Sequence, residues 1–80
     1  MAIQTREEAG ARAEYCAKKL YGGNISAITV ERLEEYPLFK EPKEGWLVLI
    51  SFKDDDGHYT LQMEFTFDGI LRKSQEIGRL

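Results

Sequence analysis

Residues 45–71 read GWLVLISFKDDDGHYTLQMEFTFDGIL, and this stretch decides the fold. Before the acidic run, Trp46, Val48, Ile50 and Phe52 alternate with Leu47, Leu49, Ser51 and Lys53. After it, Tyr59, Leu61, Met63, Phe65 and Phe67 alternate with His58, Thr60, Gln62, Glu64 and Thr66. A period of two places each set on one face of a strand. A two-residue type I′ turn at Asp56-Gly57, which needs positive φ at both positions, predicts Phe52 opposite Leu61, Ile50 opposite Met63, Val48 opposite Phe65 and Trp46 opposite Phe67. A four-residue loop keeps that parity. A three-residue loop would set Phe52 against Thr60 and split the apolar face, so an even loop is expected.

The next turn, Phe67-Asp68-Gly69, poses a second register choice. A two-residue turn would pair Phe65 with Arg72 and Leu61 with Glu76, burying charge. A three-residue loop with Gly69 in the left-handed region pairs Phe65 with Leu71 and Tyr59 with Ile77. The second is the expectation, and it leaves Lys73 and Gln75 on the helix-facing side of a final edge strand, where inward charge discourages edge pairing.

Upstream, Thr5-Arg6-Glu7-Glu8 reads as a helix start in which Thr5 caps and Glu8 reaches back, after a short lead from Met1 to Gln4. Ala9, Ala13, Cys16, Ala17 and Leu20 then fall on one helical stripe, with Glu14 and Lys18 spaced for an i,i+4 pair. Alanines on the buried side let a helix approach a sheet closely, and Gly22-Gly23 stops the helix. A first strand follows, with Ile28 and Val30 on one face and Thr29 and Glu31 on the other, fraying after Leu33. Tyr36 to Glu44 contains Pro37 and Pro42 and no regular period, so it reads as the long connection. Leu38 and Phe39 are its conspicuous residues, either covering an open end of the core or forming an exposed anchor for a partner.

The expected architecture is therefore α+β: one N-terminal helix (about 5–21) packed on a four-stranded antiparallel meander (about 25–35, 45–54, 58–67 and 70–78), a single domain spanning 1–80. A chain of 80 residues supports one compact core layer. Its 42% hydrophobic content, with four Phe, four Tyr and one Trp, is that of a globular chain rather than a disordered one. The net charge of −3, with both signs interspersed, argues against an extended nucleic-acid surface. No apolar run reaches the roughly 20 residues that span a bilayer. The single cysteine and the absence of a signal-like opening make the cytoplasm the expected compartment.

One histidine and one cysteine leave few catalytic constellations. His58 stands beside Asp54, Asp55 and Asp56, but acidic residues and Gly at a hairpin mouth also serve the turn itself, and the later Glu of an EF-hand loop is missing. Cys16 lies on the buried stripe without a sequence-adjacent partner. Gly22-Gly23 lacks the spacing of a phosphate loop, and Trp46 sits in register with core residues. No catalytic, cofactor or metal residue is therefore assigned. The candidate interaction surface comprises Leu38, Phe39, Leu47, Leu49, Glu64 and Arg72. Of these, Leu47 and Leu49 form a short apolar patch on the otherwise polar sheet face that also carries Ser51, Gln62, Ser74 and Glu76.

Ala11-Arg12-Ala13-Glu14 in a helix, Val30-Glu31-Arg32 in a strand, Gly45-Trp46-Leu47-Val48, and Glu64-Phe65-Thr66-Phe67-Asp68-Gly69-Ile70-Leu71 occur in that order. Together they resemble gas vesicle protein O, with Pro37 and Pro42 here preceding the Gly45-Trp46 strand. Similar helix-then-meander patterns occur in cystatin-like and PepSY-type domains. The first resemblance implies a role in gas vesicle assembly. Two readings follow for the chain. One is a non-enzymatic module that binds another protein or itself through its sheet face or final edge strand. The other is a small-ligand or inhibitor-like domain using the concave helix side or the 37–44 loop, and a pocket lined by Tyr36, Trp46 and Phe67 would favour it.

Overall fold

The computed structural model describes residues 5–79; the expected lead from Met1 to Gln4 lies outside them. One helix, α1 (Arg6–Tyr21), is followed by β1 (Ser26–Tyr36), β2 (Gly45–Asp54), β3 (Gly57–Thr66) and β4 (Leu71–Arg79). The strands form one antiparallel sheet in the order β1-β2-β3-β4. The α+β helix-plus-meander architecture is as the sequence implies.

Helix α1 starts where Thr5 adopts extended geometry and its Oγ1 accepts from the Glu8 N–H at 3.1 Å. The Glu8 carboxylate accepts in turn from the Thr5 hydroxyl at 3.1 Å, so the pair closes through side chains. Glu14 and Lys18 stand 3.5 Å apart. Gly22, at φ +90°, ends the helix by donating its N–H to the Lys18 carbonyl. Ala9, Ala13, Cys16 and Ala17 are buried against the sheet. Between them, a Cβ at Gly10 would sit in van der Waals contact with Val30 and Leu33. The stripe ends differently from expectation: Leu20 is 54% exposed. Tyr21 turns inward instead, its ring 5.1 Å from Phe52 and 5.6 Å from Tyr59. An aromatic packed there covers the far end of the core with ring contacts, edge-to-face on Phe52 and tilted on Tyr59, that Leu20 could not make.

The inner faces of β2 and β3 hold the core. Trp46, Val48, Ile50 and Phe52 oppose Phe65, Met63, Leu61 and Tyr59 respectively, all eight at most 7% exposed. The parity is the expected one, but the register is shifted by two residues, so Trp46 faces Phe65 and not Phe67. The cause lies at the turn. Asp54 Oδ1 accepts from the N–H groups of Asp56 at 2.8 Å and Gly57 at 3.1 Å. That bond makes Asp55-Asp56 the loop and hands the positive φ, +152°, to Gly57 alone. A primed turn at Asp56-Gly57 is thereby displaced by an aspartate-capped one. Phe67 still reaches Trp46, edge to face at 6.1 Å.

The outer strands depart further. β1 does not fray after Leu33 but runs to Tyr36, which lies opposite Gly45. Its start is broken by register shifts around Ala27-Ile28 and at Glu31, Ala27 taking φ +53°. Thr29 and Val30 keep their expected faces, opposite Ser51 and Ile50. At the last turn Gly69 takes φ +89° and Phe65 pairs with Leu71, as the three-residue loop requires. Register shifts then occur after Phe65 and again between Leu61 and Thr60. Tyr59 consequently opposes Arg79 instead of Ile77, and Leu61 opposes Glu76. Lys73 and Gln75 face outward beside Glu64 and Gln62, while Ser74 and Glu76 take the helix side. Each bulge reverses the parity that a regular ladder would keep, and a strand with one free edge tolerates it.

Gly45 is where the sheet is tightest. A Cβ there would lie 1.8 Å from the Phe65 carbonyl oxygen and 2.8 Å from the Tyr36 ring. Gly45→Ala should therefore cost about 3 kcal/mol, more than the roughly 1 kcal/mol expected for Gly69→Val at its left-handed position. Urea unfolding of both variants checks the order; equal stability of Gly45→Ala and wild type would contradict this packing.

Candidate functional site

The outer face of the sheet carries two cross-strand rows. Glu34, Leu47, Glu64 and Lys73 form one; Arg32, Leu49, Gln62 and Gln75 form the next. Leu47 and Leu49 are half-buried at its centre, fenced on the β1 side by the Arg32–Glu34 ion pair at 2.6 Å. Beyond them the Ser51 hydroxyl donates to Glu31 at 2.8 Å. The two leucines thus form the short apolar patch read from the sequence. Glu64 and Arg72 share this face, with Ser74 and Glu76 replaced there by Lys73 and Gln75.

One end of this face is built by Tyr36. Because Gly45 has no side chain, the Tyr36 ring lies across it, and its hydroxyl accepts from Arg72 Nη1 at 3.1 Å. The Arg72 guanidinium stands 6.0 Å from the same ring. The Tyr36 hydrogen bond, backed by the charges of Tyr36, Glu44 and Glu64, raises the basicity of Arg72 above its ordinary value. A residue of β1 and a residue of β4 are therefore joined over the two central strands. Sequence reasoning missed this contact because it placed Tyr36 in the connection; the signal was Gly45, whose vacancy only an in-register neighbour can fill.

The 37–44 connection leaves from the same end. Glu44 N–H donates to the Tyr36 carbonyl at 2.7 Å and Lys43 Nζ to the Pro37 carbonyl at 2.8 Å. Leu38 is half-buried. Phe39 is 96% exposed and takes φ +62°, so of the two readings of this pair, core cover fails for Phe39. The β3–β4 turn departs two strands away, because Tyr36, Gly45 and Thr66 form the terminal row. At strand spacing that is roughly 10 Å. The turn is fixed by bonds from Thr66 N–H to the Ile70 carbonyl at 2.9 Å and from Ile70 N–H to Thr66 Oγ1 at 3.1 Å. Ile70 itself is 61% exposed.

Other candidates separate. Tyr36 lies on the outer face, whereas Trp46 and Phe67 pack on the helix side, so the three do not line one pocket. His58 pairs with Lys53 on the outer face and Cys16 is buried under the helix, on the opposite side of the sheet. Asp54 spends its carboxylate on the turn. Among the described residues no group of three or more His, Cys, Asp or Glu is placed to hold a metal ion, and no helix is long and apolar enough to cross a membrane. No family model, no curated protein and no solved structure matches this chain.

Burial pushes the Cys16 thiol above its ordinary value, and the nearby Arg12 charge offsets this only in part. The thiolate is the reactive form, so alkylation of folded Cys16 by iodoacetamide at about pH 8 should run at least about tenfold slower than in the urea-unfolded chain. Equal rates would mean that the helix does not shield it.

Proposed function

We propose that this chain is a small non-enzymatic protein-interaction module that engages its partner with the sheet end carrying Phe39 and Ile70. Phe39 is the observation that supports this. An aromatic ring left almost wholly in water gains nothing for the isolated fold, and left-handed backbone at a bulky residue costs on the order of 1–3 kcal/mol. Buried aromatic anchors, by contrast, dominate binding energy at protein interfaces. The bonds from Glu44, Lys43 and Arg72 hold the loop before any partner arrives, which lowers the ordering cost of binding. Leu47 and Leu49 offer a second, flatter contact area on the adjoining face.

An inhibitor-like use of the same 37–44 loop is the second reading, favoured by the same exposed Phe39. A small-molecule site between helix and sheet is less supported, because the side chains that would line it lie on opposite faces. The resemblance to gas vesicle protein O would make the partner a gas vesicle component; the interaction reading does not depend on it.

Phe39→Ser should leave the melting temperature within about 2 °C of wild type, since the side chain contacts little, and should abolish partner capture. The check is parallel affinity capture and photocross-linking through a benzoyl-phenylalanine at position 39. A species retained equally by wild type and Phe39→Ser, and not cross-linked from position 39, would overturn the reading.

A further inference from the structure

The sheet has two edge strands, β1 and β4, whose outward backbone N–H and C=O groups lie outside the ladder; on β1 the Arg6 guanidinium donates to the Leu33 carbonyl. Their charges are opposite. β1 carries Glu31, Glu34 and Glu35 against Arg32, a net −2; between Leu71 and Gly78, β4 carries Arg72 and Lys73 against Glu76, a net +1. Two β1 edges, or two β4 edges, bring like charges together, whereas a β1 edge against a β4 edge brings unlike ones.

Topology permits the unlike pairing. In a meander of four strands β1 and β4 run antiparallel, so a second copy set against the β4 edge and turned by the sheet's own twist continues the antiparallel alternation and keeps its helix on the same face. The cross-strand rows also continue without a shift. Glu34, Leu47, Glu64 and Lys73 are followed by Glu34 of the next copy, so that Lys73 meets a carboxylate on the outer face. On the helix side Ser74 meets Leu33 of the next copy.

We propose that this chain associates head to tail with further copies of itself, the β4 edge of one against the β1 edge of the next, with Lys73 opposite Glu34. The register shifts at Glu31 in β1 and at both ends of the Lys73–Glu76 segment confine regular pairing to Arg32–Glu34 against Lys73–Gln75. A ladder that short is weak, the Arg6 guanidinium must leave the Leu33 carbonyl for it to form, and such bulges are a usual limit on edge growth. The contact joins two different surfaces, so a dimer leaves one β1 edge and one β4 edge free and association extends beyond it. It rests on the edges and is independent of the Phe39 end.

Sedimentation equilibrium of the whole chain, from micromolar to about millimolar at salt concentrations of about 0.05 M and about 0.5 M, tests it. The expected result is an average mass that rises past the dimer with concentration and an association weakened several-fold by salt. Lys73→Glu and Glu34→Lys should each weaken association about tenfold, and the double variant should restore it, a rescue that damage to the fold cannot produce; the melting temperature of each variant is recorded alongside. A monomer at every concentration, growth that stops at the dimer, or association unchanged in Glu34→Lys would overturn the proposal. The last outcome would mean that β4 pairs with itself.

Discussion

Eight side chains on the inner faces of β2 and β3, from Trp46 to Phe52 and from Tyr59 to Phe65, set what the rest of the chain can do. Their alternation is unbroken, so a slip of one residue would carry the whole set into water. The helix meets them with Ala9, Ala13, Cys16 and Ala17 rather than with large side chains. Small residues bring the helix axis close, and the sheet supplies the bulk of the core. The centre is consequently rigid in parity, while nothing comparable constrains the two outer strands. All the register shifts lie there, in the pairings of β1 and β4 with their neighbours, and the β2–β3 ladder has none.

That division explains how the Phe39 end is organised. Gly45 is the first residue of the tightest ladder, and its missing side chain is the space into which Tyr36 lays its ring. Once Tyr36 is fixed, its hydroxyl gives Arg72 a hydrogen-bond partner across the sheet and its carbonyl gives the 37–44 loop a closing bond from Glu44. The exposed phenylalanine is thus the outermost member of a chain of contacts that starts in the core. A loop held by its own backbone can keep an aromatic ring in water at modest cost in order, though at a cost in backbone conformation.

The legibility of the sequence follows the same gradient. The helix, the sheet order and the faces of β2 and β3 could be read because a period of two and a stripe of alanines are strong patterns. The hairpin register could not, because registers two residues apart both set large apolar residues against each other; only the Asp54 carboxylate, accepting from Asp56 and Gly57, selects between them. In β4 the residues Arg72 to Glu76 contain no apolar side chain, so no pattern could reveal that a bulge at Arg72 would turn Lys73 outward. Leu20 and Tyr21 are neighbours on one helical turn, and propensity does not tell which of them meets Phe52. Phe39 drew attention in the sequence, but its exposure depends on the path of a loop closed by bonds from Lys43 to Pro37 and from Glu44 to Tyr36, which composition does not encode.

The two surfaces proposed for this chain are geometrically separate. A β4-to-β1 contact would keep every helix on one face of the extended sheet and advance each copy by roughly 19 Å, four strands at about 4.8 Å. Strand twist of about 20–25° per strand would also turn each copy by roughly 80–100° relative to the last. Successive Phe39 ends would therefore fan around the assembly instead of lining one straight border. A partner held by Phe39 would meet one copy at a time, so neither proposed contact depends on the other.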